Sequence, residues 1–501
     1  MLKIHPIVLA TALIFAGSPL LPPFFPASHA FELPDLGEVS RATLSESNED
    51  RIGREIMRQM RDSPHYLNDP VITDYLNNLG LRLAAASPAP GRQFEFFAVQ
   101  DSSINAFAMP GGFIGVHTGL ISAARNESEL AGVLAHEIAH VTQSHIARIV
   151  DTQKNAGLAS LAAIAIAIMA ARSNPEATQA AIVTAQAMNI QNQLNFTREH
   201  EREADRIGLQ TLAAAHFSPL GMGSFFERLQ MQSRLYENNA PAYLRTHPLT
   251  HERIADIQNR LDAIPYRQFE DSIEFSLVRA RVQAAEGEAR DALRTFEARV
   301  REQPGVAAWY GLALAHARMG QFDLAEQALT QAQAQAQAQA QSLTAPARLT
   351  TPYSADAPLL DLTRAELLMA RGQAEQAAKV TAVALVKNGA YRPLAYQHIK
   401  ALQAANQAEE ALKFINERQR IWTADGTLFA LKAQAHQALG HKAESFLAQA
   451  EAYALADRIG AAIEQLQLAQ RQGKTDFFTL SIIDARLREL RARQTRETSR
   501  Q

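Results

Sequence analysis

A recurrence of small residues in the second half of the chain constrains the fold more than any other feature. A small residue is followed five positions later by another, and the first members of successive pairs lie 33, 52, 34 and 34 residues apart. The surrounding sequence is rich in Ala, Gln, Leu and Glu, which favours helices. Units of this length bury their apolar faces only against neighbouring units, so the pattern predicts an α-helical solenoid. The pairs are Gly287/Ala292, Gly320/Ala325, Gly372/Ala377, Asn406/Ala411 and Gly440/Ser445.

The period of 34 residues is that of tetratricopeptide repeats. The interval of 52 residues leaves a surplus of 18, which contains the Ala-Gln alternation of residues 331–341 and a loop with proline. We interpret this surplus as an extended helix and an insertion between repeats. A weaker turn at Asp457 and Ala462, only 17 residues after Gly440, predicts an irregular end of the array. The alternative is an unrelated α-helical domain.

Composition excludes several classes of protein. The chain has 501 residues, 47% of them hydrophobic and only 7% aromatic, which suits helix packing better than an all-β sandwich. Its formal net charge of −3 argues against a basic nucleic-acid-binding surface. The absence of cysteine excludes disulfides, thiolate nucleophiles and sulfur-ligated metals. Any metal must therefore be held by His, Asp, Glu and water.

The N-terminal thirty residues have the pattern of a signal peptide. Lys3 precedes an apolar run over residues 7–16, and Ser28-His29-Ala30 predicts cleavage after Ala30. The alternative, a membrane anchor, would need about 20 apolar residues. Residues 158–171 are almost wholly apolar but also too short to span a bilayer comfortably. We expect a buried or hairpin helix there, with a lid near the active site or a membrane-surface contact as alternatives.

Residues 31–267 have mixed character. Amphipathic helices are predicted over residues 51–61 and 71–84, and short strands over residues 94–99 and 112–117, with a turn-rich stretch at residues 105–112 between them. A long helix begins at Asn126, where Glu129 completes a capping box. The whole chain is therefore predicted to be mainly α, an α+β domain with a small sheet followed by the solenoid.

The strongest chemical signal is the HExxH motif of residues 136–140. On a helix, His136 and His140 project from one face and can bind one metal ion. Zn²⁺ lowers the pKa of bound water toward ~7, and the adjacent Glu137 can take the proton. The apolar residues 130–134 argue against two histidines on an exposed helix. The motif predicts a zinc site.

Catalytic zinc needs a third protein ligand. Residues 197–205 supply Glu201 and Asp205, which share a helix face at i and i+4. Glu201 can bind the metal, and Asp205 can orient a ligating histidine. Spacing alone does not exclude Glu199, His200 or Glu203 as the ligand.

Residues 36–267 resemble the M48 family of zinc metallopeptidases. The resemblance rests on three separate motifs that occur in the same order: residues 105–112, the HExxH helix, and Glu201 with Asp205. The resemblance implies a zincin-type fold and one Zn²⁺ held by His136, His140 and Glu201. It also implies that Glu137 is the general base and that Asp205 orients one of the ligating histidines. With export and repeats added, the chain resembles the periplasmic members that assist outer-membrane β-barrel assembly. The interrupted array departs from their pattern.

Thr246-His247-Pro248 is also found in such proteases. His247 can donate to the oxyanion of the tetrahedral intermediate, occupy the fourth zinc position in a latent enzyme, or cap a helix before proline. We favour the fourth-ligand role. Tyr243 and Arg245 are weaker oxyanion candidates.

Two further predictions concern the surroundings of the site. His145 and His251 are expected on the surface. Residues 105–112 are expected to border the cleft, and residues 112–117 to form an edge strand that pairs with extended substrate through its backbone.

These observations predict a division into a signal peptide (residues 1–30), a metalloprotease domain (residues 31–267) and a repeat domain (residues 268–501). The expected function is periplasmic zinc-dependent proteolysis of misfolded or stalled outer-membrane proteins, with the repeats recruiting these proteins or their assembly machinery. The alternative is a chaperone or assembly scaffold with a mostly latent protease site. Zinc hydrolysis of a non-peptide substrate lacks a supporting motif. We expect no nucleic-acid partner, no membrane span in the mature chain, and at most peripheral membrane association.

Overall fold

The computed structural model describes residues 45–152, 198–235, 241–262, 269–342, 357–473 and 475–498. The predicted signal peptide and the apolar residues 158–171 lie outside these ranges. Among the described helices, none combines the length and the hydropathy that crossing a bilayer would require.

The first strands and helices lie close to their predicted positions. Helices α1 (Glu46–Asp62) and α2 (Pro70–Ala85) contain the two amphipathic segments, and strands β1 (Glu95–Val99) and β3 (Phe113–His117) match the two predicted strands. The predicted turn between them is shorter than expected. Most of it is a strand, β2 (Ala106–Met109), and the turn is confined to Pro110–Gly112, where two glycines have positive φ.

The three strands form one sheet in the order β1-β3-β2. β1 runs parallel to β3 and β2 runs antiparallel to it, so that Phe97 and Phe107 both stand opposite Gly115. A Cβ on Gly115 would lie 2.4 Å from the Phe107 ring, so the residue must be small there. The prediction that residues 112–117 form an edge strand is wrong, because β2 folds back through the glycine turn and covers that side of β3. Among the described strands, β3 is central, and β1 and β2 are the two edges.

Helix α4 (Glu127–Thr142) is buried along its whole length and packs against β2. Asn126 caps its first turn by accepting a hydrogen bond from the Glu129 amide. The Glu129 carboxylate accepts from the amide of Arg125 at 2.7 Å, one residue before the predicted capping-box position. The other helices of this part are α3 (Thr118–Ala123), α5 (His145–Thr152), α6 (Arg198–Ala214), α7 (Leu220–Leu235), α8 (Ala242–Thr246) and α9 (His251–Asp262).

Helices α4 and α6 approach closely at one glycine. A Cβ on Gly208 of α6 would lie 3.2 Å from the backbone nitrogen of His136 and 2.9 Å from the methyl carbon of Met222. Such contacts are tight for a side chain, so a larger residue would push the two helices apart. The close approach brings the acidic first half of α6 beside the histidines of α4.

The described residues from 269 onward contain only helices and their connections, which confirms the predicted solenoid. α13 has 21 residues and includes the Ala-Gln alternation, as predicted for an extended helix, while the proline loop after it lies outside the described residues. The helices are α10 (Ile273–Ala285), α11 (Ala289–Glu302), α12 (Val306–Arg318), α13 (Phe322–Ser342), α14 (Pro358–Ala370), α15 (Ala374–Lys387), α16 (Arg392–Ala404), α17 (Ala408–Gln419), α18 (Gly426–Ala438), α19 (Lys442–Leu455), α20 (Ile459–Gln470) and α21 (Phe477–Thr498).

The first residue of each pair that reveals the repeat, and Asp457 of the weaker turn, lie in left-handed backbone. The φ values lie between 57° and 76° at Gly287, Gly320, Gly372, Asn406, Gly440 and Asp457. Glycine adopts this conformation without a Cβ clash, and Asn and Asp tolerate it better than other residues. Each therefore ends one helix and permits the next to fold back, which is the helix–turn–helix predicted from the spacing.

The first solenoid helix packs directly on the part of the chain that contains α1–α9 and the sheet, called the mixed domain below. α10 lies against α2 and α3. Its Arg281 bonds Asp69 at the start of α2 at 2.8 Å and Glu366 of α14 at 3.1 Å. One arginine thus ties the mixed domain to two repeat helices.

Candidate metal centre

Four buried side chains from separate parts of the chain converge on one point: His136 and His140 of α4, Glu201 of α6, and His247, which follows α8. The two Nε2 atoms of the α4 histidines lie 2.9 Å apart, and each lies 3.5 Å from a carboxylate oxygen of Glu201. His247 Nδ1 lies 3.0 Å from Glu201 Oε1 and 3.4 Å from His136 Nε2. The structure therefore brings together the ligands predicted from the sequence.

The charge of this cluster fits a bound cation. Glu137, Glu201 and Asp205 are buried within the site, and Arg253 is the guanidinium that contacts two of them. Three carboxylates against one guanidinium leave two formal negative charges in a buried volume. Burial opposes protonation of His136, but its contacts with Asp205 and Glu201 outweigh burial and raise its pKa to about 9. A divalent cation would balance the same charge.

Glu137 is placed differently from Glu201. Both of its carboxylate oxygens are buried without a hydrogen-bond partner among the described residues, and Oε1 lies 3.5 Å from His247 Nε2. Burial raises the pKa of Glu137, against the charges of His247 and His136. A carboxylate with these properties is ready to accept a proton.

Asp205 lies behind the first histidine, as expected. Its Oδ1 is 3.0 Å from His136 Nδ1, the ring nitrogen that points away from the ligand cluster. Arg253 holds Asp205 with two bonds of 2.7 and 2.8 Å, pairs with Glu201 at 2.7 Å and donates to the Pro248 carbonyl at 2.8 Å. Sequence reasoning missed Arg253. The available signal was a basic residue four positions before Ile257, on the buried face of α9.

His145 corrects another prediction. It is fully buried rather than on the surface, and its Nδ1 lies 2.9 Å from His140 Nδ1. Its Nε2 lies 3.1 Å from Glu203, which also accepts from Arg148. Helix α5 folds back under α4, so a polar residue that opens a new helix becomes interior. His145 shares a helix face with buried Ile149, a signal that the sequence contained.

The other residues proposed from the sequence differ in whether they are buried. Tyr243 is buried and stacks on His247 with ring centroids 4.7 Å apart. Arg245 is exposed, and His251 is exposed as predicted. The alternatives to Glu201 lie elsewhere on α6: Glu203 contacts His145, and His200 stacks on His145 at 4.5 Å.

Comparison with known proteins identifies the family. The sequence model of peptidase family M48 matches residues 70–261. The beta-barrel assembly-enhancing protease of Escherichia coli (strain K12) is 34% identical over 483 residues, covering 94% of this chain and 93% of that protein. The chain belongs to peptidase family M48. It is thus a metallopeptidase of the HExxH type, and the resemblance inferred from its motifs is confirmed.

Two other relatives match shorter parts of the chain. A Vibrio cholerae relative is 42% identical over 307 residues, covering 60% of this chain and 63% of its own length. The mitochondrial metalloendopeptidase OMA1 of Schizosaccharomyces pombe is 30% identical over 190 residues, 38% of this chain and 53% of that protein. The OMA1 match is confined to a minor part of the chain, while the Escherichia coli match extends over nearly all of it.

Proposed function

We propose that this M48 peptidase is a periplasmic zinc endopeptidase that cleaves misfolded or stalled outer-membrane proteins. The convergence of His136, His140, Glu201 and His247 is the observation that supports it most. A tetrahedral zinc site with bonds of about 2.0–2.1 Å has ligand–ligand edges of about 3.3–3.4 Å. Five distances among these groups run from 2.9 to 3.5 Å, close to that value, and the four ligand atoms all lie within 4.8 Å of one another. Three imidazoles and one carboxylate are also donors that zinc favours.

Glu137 is proposed as the general base. When bound, zinc polarises the scissile carbonyl and activates water for attack. The Glu137 carboxylate accepts the water proton and then delivers it to the leaving amine. Asp205 accepts a hydrogen bond from His136 Nδ1–H, which keeps the lone pair of Nε2 directed into the site.

His247 is proposed to keep the site latent. A catalytic zinc centre needs an open fourth position, and His247 Nδ1 lies among the other ligand atoms. Withdrawal of the segment that carries it would open that position. The second candidate role is donation from His247 to the oxyanion, favoured by the 3.5 Å distance of its Nε2 from Glu137.

Substrate is proposed to bind along β2 rather than β3. β2 is one of the two edge strands of the described sheet, it packs against α4, and the backbone amide of its Ala108 opposes the rise in the pKa of Glu137. An extended chain that adds to this edge would be held by backbone hydrogen bonds, which read little sequence. Weak cleavage-site preference is therefore expected, and a sharp consensus among cleavage products would contradict this mode.

The outer-membrane substrate class comes from the relatives named beta-barrel assembly-enhancing proteases. We retain the division into a signal peptide over residues 1–30, a protease domain over 31–267 and a repeat domain over 268–501. The solenoid is proposed to recruit substrate or assembly machinery. The contact of α10 with α2 and α3 would hold that surface at a fixed position relative to the protease. The competing function is a scaffold whose protease site stays latent.

Glu137→Gln tests the chemistry. The variant should keep one zinc per chain and lose at least about 10²-fold in degradation of an unfolded outer-membrane protein, because the base is absent. Zinc content and degradation are measured in parallel with wild type. A variant that supports outer-membrane assembly as well as wild type would favour the scaffold function instead.

His247→Ala separates the two roles of that residue. Degradation should rise if His247 blocks the fourth position, and should fall by about 10²–10³-fold if it donates to the oxyanion. Unchanged degradation would exclude both roles.

A further inference from the structure

The two histidines of α4 are supported in different ways. His136 Nδ1 faces a carboxylate directly, that of Asp205 at 3.0 Å. His140 Nδ1 faces another imidazole, that of His145 at 2.9 Å. His140 Nδ1 reaches a carboxylate through His145, whose Nε2 lies 3.1 Å from the Glu203 carboxylate.

The chemistry of imidazole gives this chain of contacts a direction. A metal-ligating His140 must present a lone pair at Nε2, so its proton sits on Nδ1. That N–H needs an acceptor, and His145 Nδ1 lies 2.9 Å from it. His145 then carries its own proton on Nε2, which donates to the Glu203 carboxylate. In this arrangement both histidines are neutral and Glu203 is ionised. Each N–H then faces an acceptor.

His145 is held where this role requires it. It is fully buried, its ring stacks on His200 at 4.5 Å, and Glu203 is anchored by Arg148 at 2.8 Å. The turn that delivers it includes Ser144 with φ of 52°, a conformation that residues other than glycine rarely adopt. This backbone is strained, and strain of this kind persists where surrounding contacts require it.

We propose that His145 is a positioning residue for the metal centre. It accepts the hydrogen bond from His140, as Asp205 accepts that from His136, and Glu203 holds the His145 ring in the tautomer that can accept. The inference rests on the proposed metal site and adds a residue to it. Residues behind a ligand fix the orientation of its ring, and their loss typically costs 10–100-fold in metal affinity.

Two substitutions isolate the acceptor from the ring. His145→Phe keeps an aromatic ring against His200 but removes the acceptor, and should weaken zinc binding by about 10–100-fold. His145→Asn places Oδ1 near the former Nδ1 and should remain within a few-fold of wild type. Affinity is measured by competition with a chromophoric chelator. His216→Asn is the matched control, an exposed histidine in left-handed backbone that tolerates asparagine.

Melting of the metal-free chains distinguishes positioning from a purely structural role. The positioning role predicts that His145→Phe and the control melt alike without zinc and differ only when zinc is added. Equal affinity of His145→Phe and wild type, or equal weakening by Phe and Asn, would overturn it, as would a loss of melting temperature of the same size with and without zinc. If His145→Phe does not fold, Glu203→Ala should weaken zinc binding more than Glu203→Gln, and equal affinities would overturn the proposal. A wild-type chain that binds no zinc would instead refute the proposed function.

Discussion

At the scale of single residues, one buried guanidinium connects the parts of the centre. Arg253 is 1% exposed and contacts Asp205, Glu201 and the carbonyl of Pro248, next to His247. Burial disfavours its charge, but the two carboxylates outweigh burial and raise its pKa. The planar fork of arginine suits the paired contact with Asp205, which a lysine would not reproduce. Arg253 therefore stabilises a carboxylate pair that would otherwise be buried without compensation.

Replacing this guanidinium should be costly. Arg253→Met should lower the free energy of unfolding of the zinc-free chain by about 3–5 kcal/mol, because it leaves buried charges unpaired. Arg260→Met on the same helix removes an exposed pair with Asp256 and should cost about 0–1 kcal/mol. Chemical denaturation in chelator measures both, and equal losses would contradict the role assigned to Arg253.

At the scale of secondary-structure elements, the turns are what give the solenoid its period. Helical propensity favours most of residues 269–498, but a left-handed residue marks the turn after α10, α12, α14, α16, α18 and α19, where the chain folds back into the next helix. Asn406 and Asp457 take this position in two of these turns, and glycine takes it in the other four. The repeat was predictable from these positions because the requirement is local: a positive φ excludes most residue types whatever the neighbours are.

Gly372 offers a clean test. Its φ is 73° and a Cβ there would meet nothing within 4 Å, so Gly372→Ala should destabilise by about 1–2 kcal/mol through backbone strain alone. Gly460 also has open space but lies within α20, so Gly460→Ala should stabilise by up to about 1 kcal/mol. Thermal unfolding measures both, and a shift of the same sign would contradict the conformational explanation.

At the scale of the whole molecule, the contact between the mixed domain and the solenoid contains half-buried acids. Burial, with Asp74 and Glu127 nearby, raises the pKa of Glu274 on α10 to about 8. Burial also raises the pKa of Asp74 on α2 to about 6, although the charge of Arg392 opposes it. Burial in this contact therefore favours the protonated form of Glu274.

Stability should depend on pH through Glu274. Its pKa is about 8 in the folded chain and about 4.5 when exposed, so between these values the folded state holds a proton that the unfolded state has released. Stability should therefore fall as pH rises from about 4.5 to about 8, and level off above.

Glu274→Gln carries no titrating group at that position. Its free energy of unfolding relative to wild type should therefore increase between pH 5 and pH 8.5. Denaturation at both values measures this difference, with Glu302→Gln as an exposed control on α11. A difference between Glu274→Gln and wild type that does not change with pH would contradict the assigned pKa.

The sequence by itself determined the features that depend on local geometry. The spacing of His136 and His140 follows from the pitch of one helix, and the repeat follows from the backbone demands of its turns. The absence of cysteine restricted the donors of the centre to His and carboxylate. The family resemblance assigned Glu201 where spacing alone left several acids open.

Only the tertiary structure decided which distant side chains meet. Arg253 lies 48 residues from Asp205, and Glu203 lies 58 residues from His145, so no helical period relates either pair. The burial of His145 depends on how α5 folds beneath α4, and the position of β3 at the centre of the sheet depends on β2 covering one of its sides. Contacts of this kind arise from packing between elements, and packing depends on the complete set of buried shapes rather than on any short segment.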